Sequence, residues 1–184
     1  SYVIEETKEL LGRDAPSRAR KLIRCNDVIF ATVRPTLRRV ALVPNWLNGQ
    51  VCSTGYCVIR PDPQHVLPRF VYFYLLGEGV AQQVEGMQKG ATYPAISDAD
   101  VLSLPIPLPP LPEQRAIAHV LRTVQAAREA RQQEVSLERE RKAALMAHLF
   151  TYGTRGEPTK QTPIGEMPES WEVVTLGEVI TLQR

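Results

Sequence analysis

Apolar and polar positions alternate in period along the chain, and the changes of period mark its elements. CNDVIFATVRP (25–35) carries the clearest strand: Val28, Ile29, Phe30, Ala31 and Val33 form an apolar run of strand length. Asn26-Asp27 suits the turn before it, and Pro35 ends it. RVALVP (39–44) predicts a second strand, stopped by Pro44. Asn48-Gly49 is a strong turn signal, so the stretch from Pro44 to Val51 resembles a hairpin connection. GQVCSTGYCVIRP (49–61) predicts a third, long strand whose Gly55 marks a bulge or a close backbone approach. Upstream, residues 2–4 suit a short strand, and residues 5–20, with Gly12 and Pro16, suit a surface loop.

Over residues 67–88 the period becomes helical, with Phe70, Val71, Tyr74, Leu75, Val80 and Val84 on one face and Gly77 and Gly79 as an interruption. Tyr72, Phe73 and Tyr74 read as core aromatics of a buried helix rather than as a base-stacking platform. Residues 89–97 form a loop in which Gly90 allows close approach to a ligand. Ser97 and Asp100 predict an N-cap for a helical turn over 98–102. Five Pro between Leu104 and Pro112 exclude both helix and central strand, so that segment is a stiff extended arm. Pro112 then fits the first position of a helix.

From Glu113 to Phe150 neither Pro nor Gly occurs. About 38 residues at 1.5 Å each give a rod of roughly 55 Å. Its apolar stripe is strong at the ends and thin between Arg128 and Lys142. Such a helix needs a partner helix, parallel or antiparallel, and the chain holds no second one of that length. Gly153 and Gly156 stop it. A linker follows, and Trp171, Val173 and Val174 predict a new strand before a helical turn at Leu176 and Val179. The expected fold class is α+β, a mixed α/β domain followed by one long coiled-coil-forming helix. Its segments are 1–103, 104–112, 113–150, 151–169 and 170–184.

Composition changes this picture little. Of 184 residues, 43% are hydrophobic and 23% charged, as in ordinary globular proteins. No apolar run approaches the ~20 residues that span a bilayer, and the N-terminus lacks a signal-peptide pattern. The expected setting is cytoplasmic, without membrane contact. The first residue is not Met, which points to a processed chain or a fragment. Cys25, Cys52 and Cys57 lack CxxC spacing and read as reduced thiols.

Charge distribution says more. Net charge is +2, yet Arg13 to Arg39 holds eight Lys/Arg against Asp14 and Asp27, a local +6. That segment fits phosphate contacts or a solvated basic loop, and charge alone does not choose. Catalytic signatures are missing from the sequence: no GxGxxG, no P-loop, no methyltransferase Pro-Pro-Tyr/Phe motif and no nuclease carboxylate pair. His65, His119 and His148 are scattered. Neither a cofactor nor a metal is expected, and binding is favoured over catalysis.

IPLPPLPEQRAIAHVLRTV (106–124), with a charged helix ending ALMAHLFTYG (144–153), resembles the repeated region of the DNA specificity (S) subunits of type I restriction-modification systems. NDVIFATVRP (26–35), CSTGYCVIRP (52–61) and KGATYPAIS (89–97) are similar to the later part of a target recognition domain. IGEMPESWEVVTLGEV (164–179) is similar to the lead-in of the next one. The resemblance implies a non-catalytic subunit. Its recognition domains each read half of a bipartite target, and its helices pair antiparallel and dock modification (methyltransferase) subunits. The implied partners are double-stranded DNA, modification subunits, indirectly a restriction subunit, and a second copy through the long helix. The chain holds one recognition domain, one helix and a lead-in, in circularly shifted order. It is either a truncated fragment or a half-length unit whose C-terminal strand completes a domain in cis or in a partner copy. Competing readings are a coiled-coil scaffold without DNA contact and a divergent methyltransferase or nuclease.

Arg34, Arg38 and Arg39 are the leading candidates for DNA contact, since guanidinium suits both guanine edges and phosphate. Thr36, Thr54, Tyr56, Lys89, Thr92 and Tyr93 follow. Helix pairing is expected through Ile117, Leu121, Val124, Val135, Leu145 and Leu149. Arg115, Arg122, Arg128, Arg131 and Arg139 suit a partner protein or a solvated face.

Overall fold

The computed structural model of the chain describes residues 4, 7–90 and 94–180. Two compact units divide it, Ser1–Ala126 and Ala127–Arg184. The first has an α+β architecture built on five short strands: β1 (Ala19–Leu22), β2 (Val28–Ala31), β3 (Val40–Leu42), β4 (Val51–Ser53) and β5 (Tyr56–Ile59). β2 is the centre of an antiparallel sheet of order β3-β2-β5, and β1 pairs antiparallel with β4 in a separate ribbon.

Every residue of β2 is buried, which explains its unbroken apolar run. A strand covered on both faces has no polar side to alternate with. Val28 and Phe30 face one core cluster with Val40, Cys57, Val71, Leu75, Val84 and Ile96. Ile29 belongs to a second cluster with Ile23, Ala41, Val43 and Leu47.

Three helices of this unit are α1 (Pro68–Leu75), α2 (Glu78–Met87) and α3 (Asp98–Leu102). α3 starts with a complete capping box: Ser97 Oγ accepts from Asp100 N at 3.1 Å and Ser97 N donates to Asp100 Oδ2 at 2.8 Å. The fourth helix, α4, runs Leu111–Tyr152. Its first turns belong to the first unit, where Gln114 and Ala118 are buried.

Several local expectations are corrected. Residues 49–61 are two strands in two sheets rather than one. Thr54 N donates to Arg18 O at 2.8 Å while Gly55 O accepts from Thr32 N at 2.9 Å, so the chain passes from one sheet to the other within two residues. A Cβ on Gly55 would meet Ser53 Oγ at 3.6 Å and the Arg18 and Val33 side chains at 3.8 Å, ordinary contact distances, so no close backbone approach demands glycine there. β3 and β4 do not pair, so the Asn48-Gly49 turn joins two sheets instead of closing a hairpin. The expected loop 5–20 already contains the start of β1, and residues 67–88 form two helices broken before Gly77. The strand read at residues 2–4 falls mostly outside the described residues.

In the second unit, the segment 151–169 is more than a linker. It holds a hairpin of β6 (Thr159–Thr162) and β7 (Gly165–Pro168) in antiparallel register. Gly165 takes φ 119° in it, a conformation that favours glycine. Trp171–Val174 joins no strand among the described residues, so the strand expected there is not formed. Instead, the Trp171 ring packs edge-on against Phe150 with centroids 6.5 Å apart. α5 (Leu176–Val179) covers the helical turn that follows.

Candidate nucleic-acid interface

Sheet register sorts the candidate residues. Ala31 pairs with Tyr56, and Phe30 with Val40, so the exit of β2, the entry of β3 and the entry of β5 share one end of the sheet. Arg34, Thr36, Arg38, Arg39, Thr54 and Tyr56 all lie at that end. Lys89 joins them through the backbone: Val33 bridges Ala95, and Lys89 and Ala95 exchange N–H···O bonds of 3.0 and 3.1 Å. Thr92 and Tyr93 lie outside the described residues.

The loop between β2 and β3 is unusual in its backbone. Arg34 (φ 50°, ψ 55°) and Arg38 (φ 52°, ψ 41°) are both left-handed and flank a 3-10 turn, Pro35–Leu37. Each such residue costs roughly 1–3 kcal/mol and persists only where the surroundings hold it. Here buried Pro35 anchors the turn. Arg34 N donates to Pro94 O at 2.8 Å, and Ala31 N to Arg39 O at 2.9 Å. A non-glycine residue before Pro is expected to be extended, so this conformation was not readable from sequence. Strain of this kind concentrates at binding sites.

Arg34, Thr36, Arg39, Thr54 and Lys89 are exposed. Arg38 is half-exposed, and its Nη2 meets Glu78 Oε2 at 2.6 Å at the start of α2. Glu78 is a site neighbour that the sequence reading missed; its position in Gly77-Glu-Gly79 was the only signal. Arg18 is another: its Nε reaches Thr54 Oγ1 at 3.5 Å. Tyr56 differs from the rest. Its half-buried side chain packs against the second core cluster, and its backbone carbonyl accepts from Lys21 Nζ at 2.8 Å.

The opposite end of the sheet is fixed by a different pair. Asp27 is 1% exposed and accepts from Arg60 Nε at 2.8 Å and Nη2 at 2.7 Å, and from Arg24 N at 2.8 Å. Cysteine chemistry is unfavourable. Burial, with a smaller contribution from the Asp98 carboxylate, pushes the Cys57 thiol up to about 11, so it stays protonated at neutral pH. Among the described residues no group of three or more His, Cys, Asp or Glu is placed to hold a metal.

On α4, Ile117 is half-buried, and Leu121, Val124, Val135 and Leu145 are 40–62% exposed; Leu149 is half-buried. Ile117 and Leu121 border an apolar groove of about 690 Å³ with Phe73, Tyr74 and Leu108. Gln114, in contrast, is fully buried, and sequence gave no sign of it.

Residues 17–139 match the family model described as type I restriction modification DNA specificity domain. Among curated proteins, the chain is 29% identical over 111 residues to the HindI specificity subunit of Haemophilus influenzae, covering 59% of this chain and 24% of the relative. It is 34% identical over 101 residues to the MjaVIII specificity subunit of Methanocaldococcus jannaschii, covering 54% and 24%. A crystal structure of the HsdS subunit from Thermoanaerobacter tengcongensis superposes with a TM-score of 0.62 at 40% identity, covering 94% of this chain and 43% of that one. The chain thus matches about a quarter of the length of these curated relatives and less than half of the solved one.

Proposed function

Because the chain belongs to the type I restriction-modification DNA specificity family, we propose that it supplies sequence recognition to such a complex, reading one half of a bipartite duplex target. The observation that carries this reading is the gathering of Arg34, Arg38, Arg39, Thr36, Thr54 and Lys89 at one sheet end, with two arginines held left-handed in the same loop. Residues 1–103 are the recognition portion, 104–112 the stiff arm and 113–150 the spacer. The role is recognition, and catalysis falls to the modification subunits that the long helix docks.

The helix is also proposed to pair with that of a second copy about a two-fold axis. Ile117, Leu121, Val124, Val135, Leu145 and Leu149 supply the seam, and the exposure of Leu121, Val124, Val135 and Leu145 supports this. The segment from residue 170 would then contribute to a recognition domain of its own chain or of the partner copy.

Selection from a randomised duplex pool by the chain with its modification subunits tests the reading. Arg38→Ala should relax preference at one base position, by ~1–3 kcal/mol. A uniform loss on all sequences makes Arg38 a phosphate contact instead. No enrichment of any sequence by the wild-type complex overturns the proposal.

A further inference from the structure

A second basic site lies at the other end of the sheet. A cleft of about 320 Å³ is lined by Arg69 at the start of α1, by Arg115, His119 and Arg122 on α4, and by Asn26 before β2, over a floor that includes Leu42 and Ala118. Arg115, Ala118, His119 and Arg122 are spaced i, i+3, i+4 and i+7, which is one stripe of a helix. Ala118, 5% exposed, seats that stripe against the domain. The three arginines are exposed, and among the described residues none makes an ion pair or a side-chain hydrogen bond. Among the described residues no carboxylate lines the cleft, and Asp27, next to Asn26 in the chain, is already matched by Arg60.

Three unneutralised guanidinium groups around one concavity call for an anion, and their forked donors match phosphate. Arg115 and Arg122 are seven residues apart, about 10 Å along the helix. That separation suits successive phosphates of a strand better than one carboxylate of a protein. Strands of three or four residues span only about 10–13 Å, well under one ~34 Å duplex turn. A duplex lying along β2 is therefore long enough to reach both ends of the sheet.

We propose that the Arg69–Arg115–Arg122 cleft is a phosphate-backbone contact for double-stranded DNA, separate from the residues that read bases. This rests on the DNA-reading role and adds a sequence-independent part to it. Backbone contacts set register and orientation without carrying sequence information.

The test is duplex binding by the full chain with its modification subunits, followed by fluorescence anisotropy between about 50 and 200 mM salt. Arg69→Ala, Arg115→Ala and Arg122→Ala should each flatten the slope of log K against log salt by about 0.9, equally on target and random duplexes. Arg115→Lys and Arg122→Lys, which keep charge and side-chain stem, should hold the wild-type slope. Unchanged slopes in the alanine variants overturn the proposal, and so does a slope lost equally in the lysine variants, which assigns the effect to folding. Unchanged slopes with lost modification-subunit association also overturn it, since the cleft then holds an acidic protein segment. A wild-type complex that binds no duplex defeats the DNA-reading role itself, and that result is distinct from wild-type binding with unaltered variants.

Discussion

Gln114 Oε1 accepts the backbone N–H of Leu67 at 2.9 Å. The Nε2 of the same amide donates to His65 O at 3.0 Å and to Pro109 O at 2.8 Å. One fully buried side chain thus fastens the first turn of the long helix to the entry of α1 and to the proline arm. Gln114→Ala removes three bonds and takes that partner from the Leu67 N–H and from the His65 and Pro109 carbonyls. The expected loss is about 3–5 kcal/mol, read as a lower urea midpoint at unchanged m.

Cys57 gives a pH-dependent prediction. Burial first, and the Asp98 carboxylate second, raise its thiol from 9.0 to about 11. A group whose folded pKa is raised contributes stability that is fully present below the unfolded value and is lost as pH rises through the folded value. Stability therefore falls between pH 9 and 11 in part through Cys57. Cys57→Ala should lose less over that window than wild type, measured by urea unfolding at both ends. Parallel losses would show that the thiol does not contribute.

Glu78 holds Arg38 at 2.6 Å on an exposed surface, where a pair of this kind is worth only about 0–1 kcal/mol. Its carboxylate also opposes an incoming phosphate. Glu78→Ala should therefore tighten duplex binding, by up to roughly tenfold or 1.4 kcal/mol. The gain should shrink in the Arg38→Ala background, a coupling that a double-mutant cycle in anisotropy measures. Weaker binding by Glu78→Ala would instead make Glu78 the residue that positions Arg38.

Leu145 is 53% exposed, so replacing it by Arg leaves folding nearly unchanged, within about 0.5 kcal/mol. On a pairing seam the same charge is costly. Leu145→Arg should weaken self-association by at least about tenfold, or 1.4 kcal/mol, by light scattering across a dilution series. An unaltered mass profile would remove this residue from the seam.

What the sequence made legible was local chemistry. The apolar run of β2, the Ser97–Asp100 box and the uninterrupted α4 announce themselves because each is specified by neighbours along the chain. What stayed hidden depended on distant partners. Thr54 and Gly55 part because Arg18 and Thr32 claim them separately. β6 and β7 are polar and end on Pro168, so they read as linker, yet they pair through register and a left-handed Gly165. Gln114 looks like a solvated amide until the three groups that surround it are in place. The candidate arginines were found by residue type and share one loop, while Thr54 and Lys89 reach that loop through pairings with residues distant in sequence. The cleft of Arg69, Arg115 and Arg122 needed two helices brought together.

The bond from Ala31 N–H to Arg39 O closes the loop at its neck. Inside that neck the tie to the domain is uneven: Thr32 is buried and joined to Gly55 and Ile96, Arg34 N–H is joined to Pro94 O, and Pro35 is buried. Thr36 and Leu37 form the exposed tip. Side-chain changes there leave the β2–β3 ladder and the buried anchors in place, so the tip is where this fold tolerates variation at least structural cost.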